Sequence, residues 1–193
     1  VKDRPHTATE SVFLLAKSQD YFFDWWSIRE QAVETPDNSR PCRNLWRITA
    51  EPSKIKHFAM MPTELARRCV ASGTSPLVCG NCRTPYERVV IAERVPTRVG
   101  DNSIVNGRDN AEVGNRDPRR HVTLYRFDGG YKARCRCKSK TYGRCLVLDP
   151  FNGSGTTGAV TLSLDHDYIG IELNADYADQ ARERLRAVMP LFH

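Results

Sequence analysis

The sequence predicts an α/β chain with a partial Rossmann-like fold, interrupted by a small cysteine-rich lobe, and three observations carry that expectation. Residues 146–172 read LVLDPFNGSGTTGAVTLSLDHDYIGIE: an apolar run ending in Asp149, a glycine-rich turn, a small-residue helix, and a second apolar run ending in Glu172. That order of strand, turn, helix and strand is the βαβ unit of a parallel sheet. Residues 77–144 carry two close cysteine pairs, Cys79 with Cys82 and Cys135 with Cys137. The chain of 193 residues is 40% hydrophobic, enough for one domain with a core and an insertion. No apolar run approaches the roughly 20 residues that span a bilayer, and no secretory signal is recognisable, so the expectation is a cytoplasmic protein without a membrane. A formal charge of +6 favours a polyanionic partner.

Taken in order, residues 11–17 read as a buried strand, and Tyr21, Phe22, Phe23, Trp25 and Trp26 as an aromatic cluster packed in a core behind it. Residues 45–48 read as a short strand. Pro62 suits the first position of a helix whose apolar face carries Leu65 and Cys69, four apart, and Gly73 can end that helix in the left-handed conformation. The run VVIAE is strand-like, whereas residues 97–120 mix charge with repeated Gly and Asn and should form a mobile loop or hairpin. In the last helix Asn174 is a cap, Asp176 and Asp179 favour its start, late arginines favour its end, and Tyr177, Ala181, Leu185 and Val188 form its apolar stripe.

The glycine turn implies a ligand. Gly153 and Gly155 let the chain leave the strand sharply and bring bare backbone close to a bound molecule. The N–H groups of residues 154–157, Thr156 among them, then face a carboxylate or phosphate at a helix N-terminus. Glu172 follows Gly153 by 19 residues, the usual separation for an acid that accepts hydrogen bonds from ribose hydroxyls. Gly153, Gly155 and Gly158 also spell the GxGxxG of dinucleotide sites, a weak signal when it stands alone. Asp149, before the first glycine, decides between the two. A carboxylate there repels a pyrophosphate but suits an ammonium and a sulfonium, which points to S-adenosylmethionine. A Walker-type phosphate loop is excluded because neither GKS nor GKT follows the glycines.

DPFNGSGTT at 149–157, IGIE at 169–172 and NADYADQARERL at 174–185 closely resemble the C-terminal end of the bacterial and phage DNA amino-methyltransferases. KDRPHTATESVFLLAKSQDYFFD at 2–24 is similar to a segment late in their catalytic half, and HFAMMPTEL at 57–65 to the helix start beside the methionine end of the cofactor. The order is that of the permuted group, whose catalytic motif precedes its cofactor motif. The resemblance implies an enzyme that flips a base from double-stranded DNA and methylates the exocyclic nitrogen of cytosine or adenine. It further implies that Asp149 orients the amino-acid end of the cofactor, that Phe151 and the glycine backbone line the adenosyl pocket, and that Asn174 lies at the adenine rim. His57, Phe58 and Pro62 would flank the methionine tail.

The family's catalytic loop, an Asp, Ser or Asn followed by Pro-Pro and an aromatic residue, has no counterpart, since no Pro-Pro dipeptide occurs. No catalytic residue is therefore assigned. The expectation is a fragment or split half, inactive alone, whose partner is the N-terminal half of the same enzyme. Residues 1–76 would be the end of the catalytic half and the start of the cofactor half, 77–144 an insertion, and 145–193 the glycine-loop unit. Two departures stand out: Thr9 replaces a usual histidine, and Asn152 a usual small residue, which a turn tolerates. The serine form of the loop in relatives with a similar cysteine insert tilts the target toward cytosine, by analogy alone.

Without a secretory signal, Cys79, Cys82, Cys135 and Cys137 favour a tetrahedral zinc site in a ribbon-like lobe over disulfides; reduced thiols are the alternative reading. Cys145 is the alternative fourth ligand, while Cys42 and Cys69 read as small buried apolar groups. In KARCRCKSK, Lys132, Arg134, Arg136, Lys138 and Lys140 alternate with smaller residues. On an extended strand they would form one ridge facing a DNA backbone, or simply a solvated face. A competing function is a non-catalytic zinc-ribbon module that binds DNA or docks onto a partner with a vestigial cofactor lobe.

Overall fold

The computed structural model describes residues 9–32, 39–49, 61–96 and 121–189. A 3-10 turn, Trp25–Ile28, is capped by Asp24, whose carboxylate accepts the Trp26 N–H. Strand β1, Glu30–Gln31, pairs antiparallel with β2, Ser39–Arg40. Helix α1 spans Thr63–Gly73. Next comes β3, Val78–Cys79, which pairs antiparallel with β6, Tyr142–Gly143. Between them a long antiparallel arm is built from β4, Glu87–Pro96, and β5, His121–Lys132. The chain ends in β7, Leu146–Asp149, α2, Thr156–Ser163, β8, Asp167–Gly170, and α3, Ala175–Val188.

The last four elements form the expected βαβα unit. β7 and β8 run parallel and in step, Leu146 opposite Asp167 and Asp149 opposite Gly170, as a helical crossover requires. Helix α2 is made of small residues because four elements, α1, α3, β7 and β8, converge on it. A Cβ at Gly158 would lie 2.5 Å from the Tyr168 ring and 2.8 Å from Leu185 Cδ2, so only glycine fits there. The compact core joins this unit to α1: Ala66 and Val70 meet Val160, with Val147 and Leu164 packed against them.

Side chains alternate across the strands, so Val147 and Tyr168 are partly covered while Leu146, Leu148 and Ile169, with Ile171 beyond the strand end, are exposed. Parallel sheets are ordinarily covered on both faces. Here, among the described residues, one face is left exposed.

Several expectations about the first half are corrected. Residues 11–17 form no strand and are exposed, Phe13 at 79% and Leu15 at 87%. Residues 45–48 form none either. Apolar β-formers become a strand only beside a neighbour that completes the ladder, and among the described residues none lies alongside them. The aromatic cluster is not a closed core. Tyr21 and Phe23 are exposed and the remainder half-buried, with Trp25 edge-on to Trp26 and to Tyr125 at 5.5 Å each and Arg29 lying over Trp26.

In α1 the buried face runs through Ala66 and Val70, one position round from the expected Leu65 and Cys69. Pro62 is the residue before the helix, and Gly73 does not take the left-handed conformation. Instead the Thr74 hydroxyl donates to the Val70 carbonyl at 2.7 Å, satisfying one of the open carbonyls at the helix end. Cys69 is exposed and Cys42 half-buried, so neither is the buried apolar group expected. In α3 Ala181 is buried while Val188 is exposed, which shortens the apolar stripe at its end. The expected loop at 97–120 lies outside the described residues, and its ends are joined by the pairing of Pro96 with His121.

Candidate cofactor site and thiol cluster

The turn after β7 is stitched to the exit of β8. Ile171 N–H donates to the Asp149 carbonyl and Asn152 N–H donates back to the Ile171 carbonyl, both at 2.9 Å. Gly153 and Gly155 take φ of +53° and +79°, conformations that a side chain would strain. The Asp149 carboxylate accepts the Phe151 N–H at 3.0 Å, which fixes the acid at the carboxyl end of its strand.

Glu172 completes the arrangement. Its Oε2 accepts the Gly153 N–H at 2.7 Å and its Oε1 the Asn174 N–H at 2.9 Å. Asn174 in turn accepts N–H groups of Asp176 and Tyr177, as the expected cap of α3. The fold thus brings Asp149, Phe151, Gly153, Gly155, Glu172 and Asn174 to one edge, at the carboxyl ends of two parallel strands, where open α/β sheets bind ligands. Phe151 and Leu173 stand there 89% and 100% exposed. Apolar side chains left in water beside two fixed carboxylates are what a partly apolar, partly cationic ligand would cover.

Thr156 is buried, and its hydroxyl accepts from Arg184 Nη1 at 2.9 Å, so it serves to tie α2 to α3. Pro62 opens α1, which packs on α2 through Val70 and Val160; His57 and Phe58 lie outside the described residues.

Tyr168 is a contributor that the sequence reading lacks, and Asn152, expected there as a tolerated turn residue, takes a second role. The Tyr168 hydroxyl donates to Asn152 Oδ1 at 2.6 Å, and Asn152 Nδ2 donates to the Gly153 carbonyl at 3.1 Å. Burial, with Asp149 adding to it, raises the Tyr168 hydroxyl well above its ordinary range, so it stays a donor. Asn152 is therefore a strut under the turn as well as a tolerated turn residue. The signal available in the sequence was Gly158 and Gly170, which leave the space the Tyr168 ring occupies.

The second constellation is the thiol cluster. Sulfur atoms of Cys79, Cys82, Cys135 and Cys137 all lie within 4.8 Å of one another, although two come from the start of the arm and two from its end. Tetrahedral zinc at about 2.3 Å from each thiolate would set sulfurs about 3.8 Å apart, so the cluster needs little contraction to fit the ion. Cys82 is lowered to about 6 by hydrogen bonds from the Thr84 hydroxyl and backbone, and Cys79 is lowered by the N–H groups of Cys82 and Asn81. Cys137 is pushed up to about 12 by its hydrogen bond with Cys82 and by burial. Cys145, the alternative ligand, sits apart and buried, accepting the Ser75 N–H at 3.4 Å.

The expected ridge of cations is corrected in its geometry. β5 ends at Lys132 and the chain bends at 134–136, because Cys135 and Cys137 turn back toward the first cysteine pair. Lys132 and Arg134 pair with Glu87 at 3.2 and 3.1 Å, and Arg134 also reaches Asp20. Arg136, Lys138 and Lys140 remain exposed, with no acidic partner among the described residues.

Residues 137–183 match the family model of the N6/N4 DNA methylases. Along 96% of its length the chain is 31% identical to the type II methyltransferase M.SmaI of Serratia marcescens and 30% identical to M.Cfr9I of Citrobacter freundii. A shorter stretch of 45 residues is 56% identical to M.HinfI of Haemophilus influenzae. The chain is thus similar to type II DNA methyltransferases over nearly all of its own length. It spans 40% of the length of M.SmaI and 39% of M.Cfr9I. No solved structure matches it. Among the described residues no helix is long and apolar enough to cross a membrane.

Proposed function

We propose that this chain is the S-adenosylmethionine-binding part of a site-specific DNA methyltransferase that modifies the exocyclic amino nitrogen of cytosine or adenine in double-stranded DNA, in the cytoplasm of a bacterial or phage-infected cell. The observation that carries the reading is the convergence of Asp149, the glycine turn and Glu172 at one sheet edge, in a segment similar to the DNA methylases. S-adenosylmethionine supplies an activated methyl group on a sulfonium. Asp149 attracts the ammonium and sulfonium of the ligand, and Phe151 with Leu173 offers apolar cover for its adenosyl portion. Glu172 holds the turn and accepts ribose hydroxyls; a carboxylate has about four acceptor directions, so the two roles are compatible. His57, Phe58 and Pro62 flank the methionine tail, and Asn174 the adenine rim. A zinc ion held by Cys79, Cys82, Cys135 and Cys137 completes the cofactor set.

The exposed face of β7 and β8 and the short span against M.SmaI support a division of labour. Base gripping and nucleophile positioning belong to a further segment bearing the Pro-Pro-aromatic loop, which covers Leu146, Leu148 and Ile169. This chain alone then transfers no methyl group, because loss of the positioning group costs many orders of magnitude in rate.

Radiolabelled methyl incorporation into duplex DNA tests this, with the chain alone, with the catalytic half of a relative, and with both. Transfer only by the combination is expected. Absence of S-adenosylmethionine binding by the combination would leave the zinc-ribbon binding module as the better reading.

A further inference from the structure

The thiol cluster sits at the base of the arm. Cys79 and Cys82 precede β4, Cys135 and Cys137 follow β5, and a metal there would clip both strands where they leave the body. The first knuckle is held by backbone hydrogen bonds. Gly80 N–H donates to the Thr141 carbonyl at 3.0 Å, Arg83 N–H to the Cys79 carbonyl at 2.9 Å, and a Cβ at Gly80 would lie 2.8 Å from the Thr141 oxygen. The second knuckle is different. Between Lys132 and Tyr142 no ladder supports the backbone. Besides the thiols, the Arg134 pairs hold its start, and the bonds among Ser139 and Thr141 with the Gly80 N–H on the Thr141 carbonyl hold its end; between them Lys138 takes a left-handed φ of +51°, uncommon for a lysine.

That second knuckle carries the three exposed cations without acidic partners among the described residues. Arg136 stands between the two cysteines, Lys138 directly after them, and Lys140 two positions on. Cations at 136, 138 and 140, on a stretch that is in no strand and is tied mainly at its two ends, can meet successive phosphates only if its middle is fixed as well.

We propose that zinc bound by Cys79, Cys82, Cys135 and Cys137 organises residues 135–140 into a contact for the phosphate backbone of duplex DNA, with Arg136, Lys138 and Lys140 as the contacting side chains. This rests on the reading of the chain as part of a DNA methyltransferase. The contact sets orientation on the duplex and carries no sequence information, since phosphates are the same in every sequence. One competing role for the cations is electrostatic: four thiolates around a divalent ion carry two net negative charges, which nearby arginines and lysines would offset.

The experiment separates these roles. The full chain is titrated into fluorescein-labelled duplex DNA across a series of salt concentrations, with zinc measured by elemental analysis. The triple variant Arg136→Ala, Lys138→Ala, Lys140→Ala should retain one zinc and the wild-type melting curve, bind DNA at least about tenfold more weakly at low salt, and lower the log–log salt slope by roughly 2 to 3, about one unit for each phosphate no longer neutralised. Chelation of the wild type should cause the same reduction in slope, reversed by added zinc, and the Cys137→Ser variant should show it without rescue. A triple variant that binds DNA as the wild type does would overturn the proposal. So would one that loses zinc, which would assign the cations to the thiolates, and so would a chelated wild type with an unchanged slope. Methyl transfer by the chain combined with a catalytic half is read separately, so failure of the phosphate contact and failure of the methyltransferase reading are distinguishable.

Discussion

Glu172 reaches across the sheet edge to hold Gly153, its Oε2 accepting the glycine N–H at 2.7 Å while its Oε1 accepts the Asn174 N–H at 2.9 Å. One carboxylate therefore supports both the turn after β7 and the start of α3. Replacing it leaves two backbone donors unpaired and removes the proposed ribose acceptor. Glu172→Ala should weaken S-adenosylmethionine binding by about 1.5 to 3 kcal/mol, the size of hydrogen bonds to a charged group. Titration calorimetry on the reconstituted enzyme checks this, and unchanged affinity would remove Glu172 from the site.

Tyr168 acts on the same turn from beneath, through Asn152. Tyr168→Phe keeps the ring between Gly158 and Gly170 but deletes the donor to Asn152 Oδ1. The expected loss of stability is about 0.5 to 1.5 kcal/mol by urea unfolding, with a further weakening of S-adenosylmethionine binding as Asn152 loosens. Asn152→Ala should weaken binding similarly, and adding it to Tyr168→Phe should have little further effect, because the two act as one strut.

Gly158 is a packing requirement. A methyl group there would collide with the Tyr168 ring at 2.5 Å and Leu185 at 2.8 Å. Gly158→Ala should destabilise the chain by about 1 to 3 kcal/mol despite the better helix propensity of alanine, as overpacking does. A variant as stable as the wild type in thermal unfolding would show that α2, β8 and α3 do not meet as described.

His166 gives the fold a pH dependence. The Thr74 hydroxyl is committed to the Val70 carbonyl, so His166 Nε2–H donates to Thr74 at 2.9 Å and the buried Nδ1 is left as an acceptor without a partner among the described residues. Burial lowers the His166 pKa, and its neutral form persists in the folded state. The unfolded chain therefore binds a proton that the folded chain resists, so stability should fall as pH drops through about 6.5, the unperturbed histidine value. Urea midpoints measured between pH about 7.5 and 5.5 should decline for the wild type and decline less for His166→Gln. Equal slopes would refute the assignment.

The geometry of the candidate cofactor edge was legible in the sequence because its determinants are local. Asp149, Gly153, Gly155, Glu172 and Asn174 fall within one βαβα unit, and glycine conformation, strand alternation and helix capping act over a few residues. The two cysteine pairs were legible as pairs. Their meeting across the arm depends on the pairing of β4 with β5, and the bend that takes Arg134 to Asp20 and Glu87 follows from that meeting. The strut from Tyr168 to Asn152 and the burial of His166 against Thr74 join residues that only packing brings together. Residues 11–17 and 45–48 show the converse. Their apolar pattern promises strands, but a strand exists only where another chain segment accepts its hydrogen bonds, and that depends on the tertiary neighbours beside it.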